Sequence, residues 1–190
     1  MVVNEKYKMF KIALLSVLAK LCAAIIVPSR SDFPDTITAV VHITDPLKEH
    51  DVHGFVKLTQ TEGRVHIEGE IRGLRPGPHG FHIHRSGHIG NGCSGAGLHY
   101  NPLNTNHGPQ DADREHRHWA DFGNIEADKD GVAVFDFWDP IVKLNGKHSV
   151  IGRALNVHAN PDDLGSLGDE ESLKSGHSGH PIACGVVALY

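Results

Sequence analysis

Ile37, Ala39, Val41 and Ile43 alternate with Thr36, Thr38, Val40 and His42, a period of two that sends the two sets to opposite faces of a strand. The period continues through Gly54–Gln60 and Arg64–Ile71, and further short strands fit 80–85, 119–126, 131–138, 150–158 and 183–189. Turn signals separate them: TEG at 61–63, RPGP at 75–78, DKDG at 128–131 and LNGK at 144–147. Helix-period segments are nearly absent. About eight short strands with this punctuation predict an all-β fold, an antiparallel sandwich or barrel. Two long segments, 86–118 and 159–182, lack strand character and are rich in Gly, Asp, Asn, Pro and His. Loops of that length in a compact domain are usually functional or disordered. Here their histidines and cysteines favour function.

The N-terminus breaks the pattern. Lys6, Lys8 and Lys11 precede the apolar run Ile12–Ala19, which resumes after Lys20 as Leu21–Val27. Each apolar piece falls short of the ~20 residues that a membrane span requires. A cleaved secretory signal over 1–29 is therefore expected, followed by one domain over 30–190 and a secreted, extracellular product. Without residues 1–29 the chain has 14 basic and 22 acidic residues, a net charge of −8. That balance argues against nucleic acid and against stable membrane association. Of the three cysteines, Cys22 lies in the expected signal, leaving Cys93 and Cys184. In an oxidising compartment two cysteines suggest one disulfide, the alternative being two buried thiols.

Histidine changes the picture most. Of sixteen histidines, eight fall between His79 and His118. His82 and His84, two apart on a predicted strand, point to the same face, so both imidazoles can reach one ion. His158 ends another predicted strand, while His99, His107 and His118 with Asp121 add nitrogen and oxygen donors. A set of imidazoles alone suits copper, and three imidazoles with one carboxylate suit zinc. His42, His50, His53, His66 and His148 read as surface or satisfied side chains, and His79, before an expected Gly80-Phe81 turn, as structural.

The segments GFHIH, GLHYNP, HGP, DFGNI, ADKDGVA, GRALNVHANPDDLG and IACGVVAL, in this order and at near-matching spacing, resemble the copper/zinc superoxide dismutase family. The resemblance covers about 36–190. It implies a Greek-key β-sandwich or barrel of about eight strands, with two long loops bearing the metals and the disulfide. It also implies a superoxide dismutase, converting superoxide to dioxygen and hydrogen peroxide. Carried over by position, His82, His84, His99 and His158 become copper ligands. His99, His107, His118 and Asp121 become zinc ligands, with His99 the shared and catalytic imidazole. Asp162 becomes the carboxylate joining histidines of both metals, and Cys93 and Cys184 the disulfide. Glu170, Glu171 and Lys174 fall where the family's substrate-guiding charges lie, and GVVALY and Gly54-Phe55 resemble its homodimer-forming edges.

The chain departs from the family at three points. Ten residues separate His107 from His118, two more than the family's usual spacing, and His116 would restore it. His118 alone keeps the His-x-x-Asp relation to Asp121, which favours it over His116. Pro181 stands where the family has an arginine that docks the superoxide anion, and it brings neither charge nor backbone donor. His177, His180 or Arg85 would have to compensate, and a reduced rate is expected. Asn156 is polar where the family strand is apolar. The alternative that Pro181 favours is a metal-binding protein without activity, acting as a copper buffer or a decoy partner.

Overall fold

The computed structural model describes residues 36–190, so the segment read as a signal, 1–29, lies outside the described residues. The strands are β1 (Thr36–Thr44), β2 (His53–Thr61), β3 (Arg64–Arg72), β4 (Gly77–Ile83), β5 (Asp121–Ala127), β6 (Ala133–Asp139), β7 (Ala154–His158), β8 (Pro181–Val186) and β9 (Ala188–Leu189). Eight of them run in the order β5-β4-β7-β8-β1-β2-β3-β6, every neighbouring pair antiparallel, and β9 adds to β1. The end strands β5 and β6 face each other and nearly close an eight-stranded barrel. The connections β3–β4 and β6–β7 join strands that are not neighbours, which makes the barrel a Greek key.

The alternation sets the register. β1 pairs with β2 without a slip from Thr36↔Thr61 to Thr44↔His53. That keeps Ala39, Val41 and Ile43 inside with Val56 and Leu58, and a one-residue shift would turn them all to water. Each buried Val, Leu or Ile contributes about 1.5–3 kcal/mol. Phe81 fills the barrel against Phe122 and Phe135, with ring centroids 5.9 and 5.2 Å apart.

Strands β4 and β7 are covered on both faces. Phe81, Ile83, Leu155 and Val157 pack into the barrel, yet His82, Asn156 and His158 are buried as well. The two long connections, after β4 and after β7, fold back over the outer side of this wall. Cys93 and Cys184 form a disulfide with Cα atoms 5.9 Å apart, tying the first connection to β8. A loop that long adds about 4–5 kcal/mol in the chain-entropy account. Arg117 and Asp139, both fully buried, meet at 2.8 Å and fasten the same connection to the end of β6.

Several expected boundaries move. The strand read over 119–126 starts at Asp121, because Trp119 and Ala120 form a turn. The one read over 150–158 starts at Ala154, because Gly152 at φ 80° bends the chain before it. β8 begins earlier than 183, at Pro181, a position proline tolerates as the first residue of a strand. Gly80 and Phe81 lie inside β4 and make no turn. The second loop carries a four-residue helix, Ser172–Ser175, that the sequence pattern did not suggest.

Candidate metal centre

The site is built on the covered wall. His82 on β4 pairs in register with Asn156 on β7 and with Asp121 at the start of β5. The pairing register shifts between Gly80 and His82, and again between Val157 and His158. Such bulges re-aim side chains next to functional sites. Beyond the strand, His84 forms a bridge with His99, which brings the first long loop onto the wall.

Two groups result. One ring nitrogen from each of His82, His84, His99 and His158 falls within 4.8 Å of the others. The same holds for His99, His107, His118 and a carboxylate oxygen of Asp121. His99 belongs to both, and all seven residues are buried.

The outward nitrogens of His82, His84, His107 and His158 are held by the protein, and this leaves their inward nitrogens free. His84 Nδ1 donates to the Gly97 carbonyl at 2.7 Å, and His158 Nδ1 to the Gly179 carbonyl at 2.9 Å. Their Nε2 atoms then face each other as lone pairs 3.1 Å apart, an arrangement that a cation between them would relieve. Asp162 accepts from His82 Nε2 at 2.8 Å and from His107 Nε2 at 2.7 Å, so one carboxylate orients a ring in each group. Gly176 lies against it: a Cβ there would fall 1.8 Å from Asp162 Oδ1 and 2.6 Å from His107 Nε2. At φ +64° the position also favours glycine.

His82 Nδ1, His99 Nε2, His107 Nδ1 and His118 Nδ1 are buried without a hydrogen-bond partner. His107 Nδ1 and His118 Nδ1 approach Asp121 Oδ2 at 2.8 and 3.2 Å, but without the alignment of a hydrogen bond. Buried polar atoms left unpaired cost about 1–3 kcal/mol each. Their convergence fits one metal ion in each group.

The two groups differ in charge. Burial pulls His84 down to about 4 and holds His99 and His158 well below the ordinary imidazole value, with His82 adding to the effect. Neutral imidazole is the form that binds a metal. Burial pulls His107 down too, but the Asp121 and Asp162 carboxylates outweigh it and raise it to about 10. Burial would lift the carboxyls of Asp121 and Asp162, yet their histidine partners keep both well below the usual range.

Other residues singled out in the sequence fall in different places. His118 lies in the second group, whereas His116 is exposed and bonded to Asp113 at 2.7 Å. His79 is buried, its ring nitrogens against the carbonyls of His158 and Arg75, a strut between β4 and β7. Glu171, Lys174, His180 and Pro181 line a cavity that opens onto His84, His99 and His158. His177 points elsewhere, to Asp163 at 2.6 Å, and Glu170 is exposed away from that lining. Sequence reasoning missed the carbonyls of Gly97 and Gly179 and the Arg117–Asp139 pair. A backbone acceptor leaves no residue-type signal, and Arg117 sits in a loop as polar as itself. Asn156 is buried with neither side-chain atom paired.

Comparison with known proteins agrees with this geometry. The family model described as copper/zinc superoxide dismutase matches residues 52–187. Superoxide dismutase (Cu-Zn) A of Xenopus laevis is 52% identical over 141 residues, 73% of this chain and 91% of the relative. The extracellular superoxide dismutase (Cu-Zn) of Brugia pahangi is 46% identical over 157 residues, 81% of this chain and 76% of the relative. Superoxide dismutase (Cu-Zn) 3 of Arabidopsis thaliana is 44% identical over 142 residues, 74% and 85%.

Proposed function

The chain belongs to the copper/zinc superoxide dismutase family, oxidoreductases that use copper and zinc, and we propose that it is a secreted member with the ligand sets gathered on the β4–β7 wall. In this reading His82, His84, His99 and His158 hold copper, and His99, His107, His118 and Asp121 hold zinc. When bound, copper supplies a centre that alternates between Cu(II) and Cu(I), while zinc keeps one valence. The balance is two superoxide anions and two protons in, one dioxygen and one hydrogen peroxide out.

The chain's own part is orientation and proton handling. Gly97 and Gly179 fix the rings of His84 and His158, and Asp162 fixes those of His82 and His107. His99 keeps Nδ1 beside Asp121 Oδ1, at 3.1 Å, and leaves Nε2 unpaired on the four-imidazole side. That Nε2 is the atom to hold and pass a proton to the forming peroxide. Glu171 and Lys174 shape the field at the approach, while Glu170 stands off that lining.

The observation that carries the reading is the set of buried, unpaired nitrogens converging on two points that share His99. Purified protein loaded with both metals should contain one copper and one zinc per chain and disproportionate superoxide. Pro181 favours a second reading, a metal-binding protein without activity that buffers copper or pairs with other dismutase chains. Full metal content with no measurable rate would establish that one instead.

Secretion is supported by the apolar N-terminal run, the Cys93–Cys184 disulfide and the extracellular relative. Material recovered from the medium should begin near residue 30 and yield the two cysteines as one unreduced peptide pair. No helix among the described residues is long and apolar enough to cross a membrane. A homodimer fits the exposure of Phe55 and Leu189 at the edges named above, and light scattering should give twice the chain mass.

A further inference from the structure

The cavity over His84, His99 and His158 has a volume of about 430 Å³, and its substrate is an anion. His84, His99 and His158 form its floor, and the side chains with fixed charge stand on its walls. Pro181, at the start of β8, brings no charge to its wall. Two permanent cations line the space, Arg85 and Lys174, with Glu171 the carboxylate among them. His180 is also there, but an imidazole is not a permanent cation.

Arg85 is the better placed cation. It follows His84 directly, and its backbone N–H donates to the Leu98 carbonyl at 2.9 Å. Arg153 holds the Arg85 carbonyl from the other side. The guanidinium lies along Gly97: a Cβ on that glycine would fall 2.5 Å from Arg85 Nε and 3.1 Å from Cζ. Gly97 is the residue whose carbonyl orients His84, so the guanidinium and that ring share one support. Arg85 also lines the adjoining cavity over His99 and His118, which sets it between the two openings around His99.

Among the described residues Arg85 has no carboxylate partner, whereas Arg72, Arg114 and Arg117 are each paired. A guanidinium that is not spent on an internal ion pair presents a planar fork of N–H donors to an incoming anion. We propose that Arg85 docks the superoxide anion, giving the cavity the charge that Pro181 lacks. The inference rests on the dismutase reading above and assigns the docking step within it.

Azide, a small anion that competes for the same space, is the probe. On protein loaded with copper and zinc, azide titration followed by the copper visible band should weaken about tenfold or more in Arg85→Gln, with unchanged metal content. Arg85→Lys should fall between the two. Lys174→Gln should flatten the salt dependence of the rate while leaving azide affinity near the parent's. Pro181→Arg in the Arg85→Gln background should restore both azide affinity and rate. Parent-like azide affinity in Arg85→Gln with both metals bound would overturn the proposal. A parent that binds both metals but shows no dismutation would fail the dismutase reading. The azide series would then still decide whether Arg85 binds anions.

Discussion

The two halves of the site are made from the same residue type and behave in opposite ways. On the four-imidazole side, rings rest on backbone carbonyls, and burial drives His84 down to about 4. On the other side, His107 lies between two carboxylates and rises to about 10. Burial lowers both histidines, and the two carboxylates beside His107 reverse the direction of its shift. In the proposed assignment the half that would hold copper carries no carboxylate of its own. The half proposed for zinc has Asp121 fixed inside it. His99 spans the difference, with Nδ1 beside Asp121 and Nε2 among the imidazoles.

Removing the shared ring tests that division most severely. His99→Ala takes one nitrogen from each half and the only atom assigned to proton delivery. Dismutation should fall about 100-fold or more, the usual range for losing a positioned acid–base group. The copper spectrum should also become insensitive to whether zinc is present. A parent-like rate and a zinc-sensitive spectrum would mean that the halves do not communicate through His99.

Asp162 comes next, because it touches a ring in each half without belonging to either ligand set. Asp162→Ala should free His82 and His107 to rotate and lower the affinity for both metals by about 10- to 100-fold. Competition with chelators, read separately for copper and for zinc, measures it. A loss confined to zinc would show that His82 is oriented by something else and that the halves are anchored independently. Asp162→Asn should be milder, since an amide oxygen can still accept from one ring.

Much of this contrast was legible in the sequence, and the rest was hidden for physical reasons. The barrel strands with one wet face, such as Ile37–Ile43 and Arg64–Ile71, announce themselves through strict alternation. His82-x-His84 shows that two rings share a face. The sequence does not show that this face is covered, because burial of β4 and β7 on both sides comes from distant loops. Val150–Arg153 carries strand-forming residues, yet Gly152 at a left-handed φ turns it before Ala154. The partners that orient these rings are glycine carbonyls 13 and 21 residues away, and an aspartate 80 residues from His82. Motif spacing cannot reveal contacts made by backbone oxygens.

A surface copy of the carboxylate–histidine contact gives the smallest effect and the sharpest control. Next to Asp162, Asp163 accepts from His177 Nδ1 at 2.6 Å and from Ser172 Oγ at 2.9 Å, closing the loop that carries Gly176 and Gly179. His177 Nε2 also lies 3.4 Å from Asp169 Oδ1. The Asp163 hydrogen bond raises His177 above its ordinary value against a little burial, and Asp169 and Glu171 add to the rise. Asp163 is lowered: burial opposes the shift, and the His177 and Ser172 bonds outweigh it. A raised histidine stabilises fully below its unfolded value of about 6.5, and the gain is lost as pH rises through the folded value. A lowered aspartate stabilises fully above its unfolded value of about 3.8, and the gain is lost as pH falls through the folded value. The pair should therefore hold the loop best between those two pH values, and progressively less as pH rises beyond the upper or falls beyond the lower. His177→Gln should lower the thermal midpoint of metal-loaded protein slightly near pH 6 and hardly at all near pH 9, well short of Asp162→Ala at either pH. Metal content must be equal in both proteins at each pH, because ligand protonation would mimic the loss. A deficit that stays constant from pH 6 to 9 would show that His177 acts by packing alone. The charge logic of the buried Asp162–His107 contact would then not extend to its exposed neighbour.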